Sequence, residues 1–309
     1  MIRKDVLPDV WTDGWHCAAV AQVMTVPRGQ ELQLVLCDPK DAPLFMLDER
    51  EGYRILPDLA HLRLEVADGA GVKLYRLQGM NTPAQQLTQL EVNMQRDSRL
   101  QMCTVTLGGG HVRNNVLVRM QGEGCSVEAD GLYLVDREQE CDNYIFVEHA
   151  KPHCMSRELY KGIVDDAARA RFNGQVLAQD GAVKTEAYQT NRNILLTDKA
   201  HVDTRPFLEI YNDDVKCSHG STIGQLDEQA LFYLMTRGIS ERTAVTMLSY
   251  AFCDEVIRGI AFARLRDAVG DMVKKRLHGE LTSCADCAIA CKNPCNGPDA
   301  HFEIDPSKL

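Results

Sequence analysis

Strand-length apolar runs recur through the middle of this chain at a nearly constant interval, and that interval limits the folds open to it. From about Cys17 to Cys217 the sequence is a succession of short runs broken by Gly, Asp, Asn and Pro. Examples are Leu32-Gln33-Leu34-Val35-Leu36, Leu132-Tyr133-Leu134-Val135, Tyr144-Ile145-Phe146-Val147 and Phe207-Leu208-Glu209-Ile210. Successive run centres at Met102, Val116, Leu132, Ile145, Ile163, Val176, Leu195 and Leu208 lie 13 to 19 residues apart, and alternate centres 29 to 32 apart. Stacked coils of about 30 residues with two main strands each give this pattern, because each coil buries its apolar stripe only against its neighbours. A β-sandwich with regular strand spacing is the competing arrangement.

The pattern changes at Gln225. Asp227 is placed to cap a helix over Glu228–Arg237, and Gly238 to end it. Ser240 caps a second helix, with Glu241 in its first turn and a stripe of Ala244, Met247, Leu248, Ala251, Phe252 and Val256. Helical sequence continues through Leu265 and Met272 to about Leu277, with Gly259 and Gly270 as breaks. The last thirty or so residues, with Asn-Pro, Gly-Pro and Asp-Pro steps, read as an irregular tail.

Composition narrows the functional classes. With 34 basic against 44 acidic residues the net charge is −10, which disfavours binding to nucleic acid or to an anionic membrane surface. No run approaches the length of a membrane span, and Met1 to Trp11 lacks the apolar core of a signal peptide. Twelve cysteines without such a signal point to a reducing, cytoplasmic setting. There is no phosphate-binding G-x-x-x-x-G-K-[ST] loop, so ATP is not expected on this chain, and no G-x-S-x-G nucleophile elbow.

Several segments are specific in combination. They are Gly108-Gly109-Gly110 with Val112-Arg113-Asn114-Asn115; Gly131-Leu132-Tyr133; Val147-Glu148-His149 with Pro152-His153-Cys154 and Ser156 to Ile163; and Lys184 to Asn193. The densest is Pro206-Phe207-Leu208-Glu209-Ile210-Tyr211-Asn212-Asp213-Asp214-Val215-Lys216-Cys217-Ser218-His219-Gly220, followed by Leu231-Phe232-Tyr233-Leu234 and Arg237-Gly238-Ile239-Ser240. In order, from about Leu59 to Ile257, they resemble the SufB/SufD family of the SUF iron–sulfur cluster assembly system, nearer the SufD branch. The resemblance implies a mainly β protein: a right-handed parallel β-helix followed by a small C-terminal α-helical domain. The expected division is a β-helix core over 1–224, a helical domain over 225–280 and a Cys-rich tail over 281–309. The family's longer N-terminal helical region is expected to be absent or truncated.

The resemblance also implies a non-catalytic scaffold that pairs with a SufB-like paralogue through the β-helices, a homodimer being the variant of that pairing. It implies helices that dock a SufC-type ABC ATPase, and an iron or nascent Fe–S cluster held transiently between subunits. On that reading His219 lies at the cluster-forming interface. Cys217 and His219 are two apart, so in a strand they share a face, and thiolate and imidazole both ligate iron. The competing reading makes Cys217 a small buried hydrophobe and His219 a turn residue. Phe232, Tyr233, Leu234 and Leu248 are either a docking face or, more simply, core between two helices; Arg237 is the better interface candidate. His149, His153 and Cys154 are a weaker ligand group, with structural roles favoured. Asp165-Asp166 and Asp213-Asp214 read as solvated turns.

The tail carries Cys284, Cys287, Cys291 and Cys295, four thiols close enough to share one tetrahedral metal, zinc or an Fe–S cluster. The spacing departs from the bacterial ferredoxin run by one residue in the middle gap and by Pro294 preceding the last Cys. Two other functions stay open at this point. One is a β-helical polysaccharide-active enzyme, disfavoured by the 6% aromatic content and missing signal. The other is a metal or redox sensor working through the tail.

Overall fold

The computed structural model describes residues 21–279. Fifteen strands come first: β1 (Gln22–Val26), β2 (Glu31–Cys37), β3 (Arg54–Leu56), β4 (His61–Val66), β5 (Gly71–Gln78), β6 (Gln85–Met94), β7 (Arg99–Thr106) and β8 (His111–Met120), then β9 (Ser126–Val135), β10 (Glu140–His149), β11 (Met155–Val164), β12 (Arg169–Ala178), β13 (Thr185–Leu195), β14 (His201–Ile210) and β15 (Val215–Gly224). They form two parallel sheets, ordered β1-β4-β6-β8-β10-β12-β14 and β15-β13-β11-β9-β7-β5-β2-β3. From β4 onward the chain alternates between sheets, and from β6 onward each strand lies on the strand two before it. The coil period read from the sequence is therefore the stacking offset: Val116 pairs with Ile145 and Ile163 with Ile194. This is a parallel β-helix, not a sandwich.

In-register stacking puts like side chains over like. One interior column runs Leu64, Val92, Val118, Val147, Val176, Leu208 through six strands of the first sheet. All but the last, which stands on the final coil, are fully buried. Where large residues stack, small ones complement them. The Tyr160 ring lies over Gly131 and the Tyr133 ring over Gly162 on the adjacent coil.

One corner of each coil needs a left-handed residue. Gly29, Gly69, Asp97, Gly124, His153 and Lys184 take that conformation two positions before the paired start of the following strand. Glycine adopts it freely; the other three do so at a modest cost.

Three helices follow: α1 (Glu228–Thr236), α2 (Glu241–Arg258) and α3 (Ala263–His278). The expected caps are present. Asp227 accepts from Gln229 and Ala230, Ser240 accepts from Thr243, and Gly238 is left-handed. Two expectations are corrected. Gly270 does not break a helix; it lies inside α3, where a Cβ would press on the Tyr250 hydroxyl. The buried face of α2 is Ala244, Ser249, Cys253, Val256 and Ile257, while Ala251 points to solvent. The face turned inward is set by what α2 packs on, the outer side of the second sheet, not by which of its residues are most apolar.

There Leu132, Leu134, Leu159 and Ile163 of the sheet share a core with Cys253, Val256 and Ile257 of α2 and Leu265, Val269 and Met272 of α3. Polar ties fix the seat. Buried Lys161 donates to the Phe252 carbonyl at 2.9 Å and pairs with Glu255 at 2.6 Å. Arg276 grips Asp136 in the β9–β10 turn with two bonds of 2.7 Å and also donates to Gln139. Because both ends of this pair are largely desolvated, Arg276→Ala is expected to cost about 2 kcal/mol. Hydrogen exchange would show the loss first in α3; unchanged protection there would refute the clamp. No helix among the described residues is long and apolar enough to cross a membrane.

Candidate functional site

The last coil, β14 and β15, is built differently from those beneath it. Among the described residues β14 pairs only with β12 and β15 only with β13, so each sheet ends there in a strand with one unpaired edge. The side chains of β15 are almost all exposed, and Phe207 and Tyr211 are 51% and 58% exposed. An uncovered sheet edge beside exposed aromatics is a template for adding another strand or chain.

Cys217 and His219 lie on β15. Cys217 pairs with buried Ala187, and His219 with buried Gln189, whose amide lies against Gly174 of the opposite sheet. Paired residues in a parallel sheet point the same way. Cys217 and His219 therefore face the interior of the coil, at the level where it opens. Across it, Ser221 of β15 and Thr204 of β14 meet hydroxyl to hydroxyl at 3.2 Å. His219 is exposed and Cys217 half-buried. Burial raises the Cys217 thiol pKa, an effect eased by a hydrogen bond with the Ala187 backbone. The pair supplies one soft and one borderline donor within reach of solvent or of another chain. Among the described residues no group of three or more His, Cys, Asp or Glu is arranged for a metal ion, so these two would be part of a ligand set and not the whole of it.

Sequence reasoning missed what lies beneath. Ala129, Glu158, Gln189 and His219 form one interior column over four coils. Gln189 donates to Glu158 at 2.6 Å. Glu158 is wholly buried, and desolvation raises its carboxyl to a pKa of about 8. The signal was available, since 158, 189 and 219 follow the coil period, but it needs the offset of each coil.

The other candidates separate. His149 is buried on β10, bonded to Ser156, and burial lowers its pKa to about 3. His153 is the exposed left-handed corner residue, 4.0 Å from Glu123. Cys154 is buried against Cys125. These three do not converge on a ligand. Asp214 is in a turn and pairs with Lys184 at 2.8 Å, while Asp166 caps the Arg137 backbone. On α1, Phe232 and Tyr233 are 69% and 56% exposed, so neither is core between helices. Leu234 and Leu248 are half-buried. Arg237 is exposed and lies over the Tyr233 ring, donating to its hydroxyl. Cys284, Cys287, Cys291 and Cys295 lie outside the described residues.

Known proteins give this geometry a context. The family model for the SUF system FeS cluster assembly SufBD core domain matches residues 58–252. The iron–sulfur cluster assembly protein SufD of Escherichia coli is 35% identical over 220 residues, 71% of this chain and 52% of that one. The SufBD family protein slr0076 of Synechocystis is 35% identical over 192 residues, 62% of this chain and 40% of that one. The chloroplastic protein ABCI7 of Arabidopsis thaliana is 34% identical over 216 residues, covering 69% and 45%. The chain spans about half the length of these relatives.

Proposed function

The chain belongs to the SufBD family of iron–sulfur cluster assembly proteins and is similar to SufD, and from that premise we propose that it is a non-catalytic scaffold subunit on which a nascent cluster is held between two chains. The observation that carries this reading is the open last coil. It presents a thiol and an imidazole on its interior face, with unpaired strand edges beside them. A scaffold must hold its cargo and then release it, and a ligand set completed by a second chain does both.

The second chain is a SufB-like paralogue, whose own terminal strands would extend the sheets past β14 and β15. A second copy of this chain could take the same place less selectively. The exposed face of α1, with Phe232, Tyr233 and Arg237, suits a SufC-type ABC ATPase. No residue of α1 is buried, whereas α2 and α3 are anchored to the β-helix, so α1 is the part left available for a partner. ATP turnover by that partner would move the helices and open the interface around Cys217 and His219. Iron and sulfide are cargo in this scheme, and ATP is bound by the partner. The cysteines of the tail are an accessory site for zinc or an Fe–S cluster.

The test is cluster formation by this chain co-purified with its paralogue and ATPase, followed by visible absorbance after iron and sulfide are supplied. His219→Ala is expected to slow it at least tenfold while the complex stays intact. Because His219 is exposed on the last described coil, the fold should be unaffected. Wild-type rates from an intact variant complex would end the proposal.

A further inference from the structure

At five of the six left-handed corners, all but that of Gly29, the residue just after the left-handed position points inward and is small. The series is Ala70, Ser98, Cys125, Cys154 and Thr185, all fully or almost fully buried. The polar members share one task, closing the turn with a side-chain hydrogen bond. Ser98 donates to the Gln95 carbonyl at 2.6 Å, and Thr185 to that of Ala182 at 2.9 Å. Cys125 donates to Gly122 at 3.2 Å, and Cys154 to Pro152 at 3.5 Å. A hydroxyl performs this task with shorter, stronger bonds, so turn closure does not account for thiols at two successive levels.

Placement gives the thiols a second property. Met155 follows Cys154 and pairs with Ser126, which follows Cys125, so the two cysteines stack on neighbouring coils. Parallel neighbours lie about 4.8 Å apart, within the Cα separation a disulfide spans. Both sulfurs also approach one oxygen, the Gly122 carbonyl, Cys125 at 3.2 Å and Cys154 at 3.3 Å. We propose that Cys125 and Cys154 form a modification site, a dithiol that a peroxide oxidises to a disulfide linking two consecutive coils.

The chemistry balances. The Cys125 thiolate attacks one peroxide oxygen, the O–O bond breaks, and the leaving hydroxide takes up a proton to become water. The Cys154 sulfur then displaces the hydroxyl of the resulting sulfenic acid, which leaves as a second water. Two electrons and two protons pass from the thiols to the peroxide. Cys125 suits the attacking role because the neighbouring Cys154 thiol and, after it, Ser98 lower its pKa against the opposing effect of burial. Burial instead raises the pKa of Cys37, Cys103, Cys141 and Cys253. Thiols 1% exposed admit only a small uncharged oxidant, which hydrogen peroxide is.

The inference is independent of the scaffold reading. The full chain would be reduced, treated with hydrogen peroxide, trapped with N-ethylmaleimide in urea and mapped by mass spectrometry without reduction. A peptide joining Cys125 to Cys154 is expected. So is a rise of several degrees in the thermal midpoint, reversed by dithiothreitol. Cys125→Ser and Cys154→Ser should each fold, since Ser98 and Thr185 hold equivalent places, and should each abolish both effects. Recovery of the two residues unlinked after oxidation, whether still alkylated or as sulfinic acids, would overturn the proposal, as would a linkage of either to another cysteine.

Discussion

Glu158→Gln is expected to make the protein markedly more stable in alkaline solution and to change little in acid. The wild-type carboxyl is wholly buried, and its pKa is raised from 4.5 to about 8 by desolvation. An acid with a raised folded pKa binds its proton more tightly in the native state. Its contribution is therefore fully present below about pH 4.5 and is lost as pH climbs toward 8. At about 1.4 kcal/mol per unit, the loss is on the order of 5 kcal/mol. Glutamine keeps the shape and can still accept from Gln189, but has no proton to lose. Asp130, whose pKa burial raises to about 6, contributes in the same direction at lower pH, so the slope between pH 6 and 8 identifies Glu158. Urea midpoints of both chains at pH 5 and pH 8 decide the matter. Parallel curves would mean that Glu158 is ionised or solvated in the native protein.

Gly162→Ala should be severely destabilising, costing about 3 kcal/mol. A Cβ at Gly162 falls inside the Tyr133 ring and against the Asn193 amide oxygen. That ring cannot yield. Its hydroxyl donates to Asn193 and accepts from Asn191, and it is fully buried. Gly131→Ala meets the Tyr160 ring in the same manner. Gly224, on the open last coil with nothing within 4 Å, is the control, and Gly224→Ala should shift stability by less than about 0.5 kcal/mol. Equal denaturation midpoints for the Gly162 and Gly224 variants would show that the coils are not stacked in this register.

The two stacked tyrosine–glycine pairs also show what reads directly from a sequence. Gly131-Leu132-Tyr133 and Tyr160-Lys161-Gly162 stand 29 residues apart with their large and small members exchanged. Such complementarity is a local code for neighbouring coils. The caps at Asp227 and Ser240 were legible for a similar reason, since a capping side chain acts on amides two or three residues away. The inward face of α2 was not. Its apolar residues are scattered around the helix, and the sheet beneath it selected Ser249 and Cys253 over Ala251. Phe232 and Tyr233 look like core by composition, yet stand in solvent because no element of the described chain covers their face of α1.

The sequence by itself determined the repeat, the strand parity within it and the helical ending, because each follows from periodicity or from contacts a few residues long. It also carried the segments that define the family. Tertiary structure decided which coil is last and uncovered, which residues line the interior beneath Cys217 and His219, and that Cys125 meets Cys154. Those facts depend on the stacking offset from coil to coil, which varies along the chain. A change of one residue in that offset turns a side chain from the interior to the surface, so only the assembled β-helix brings these groups together.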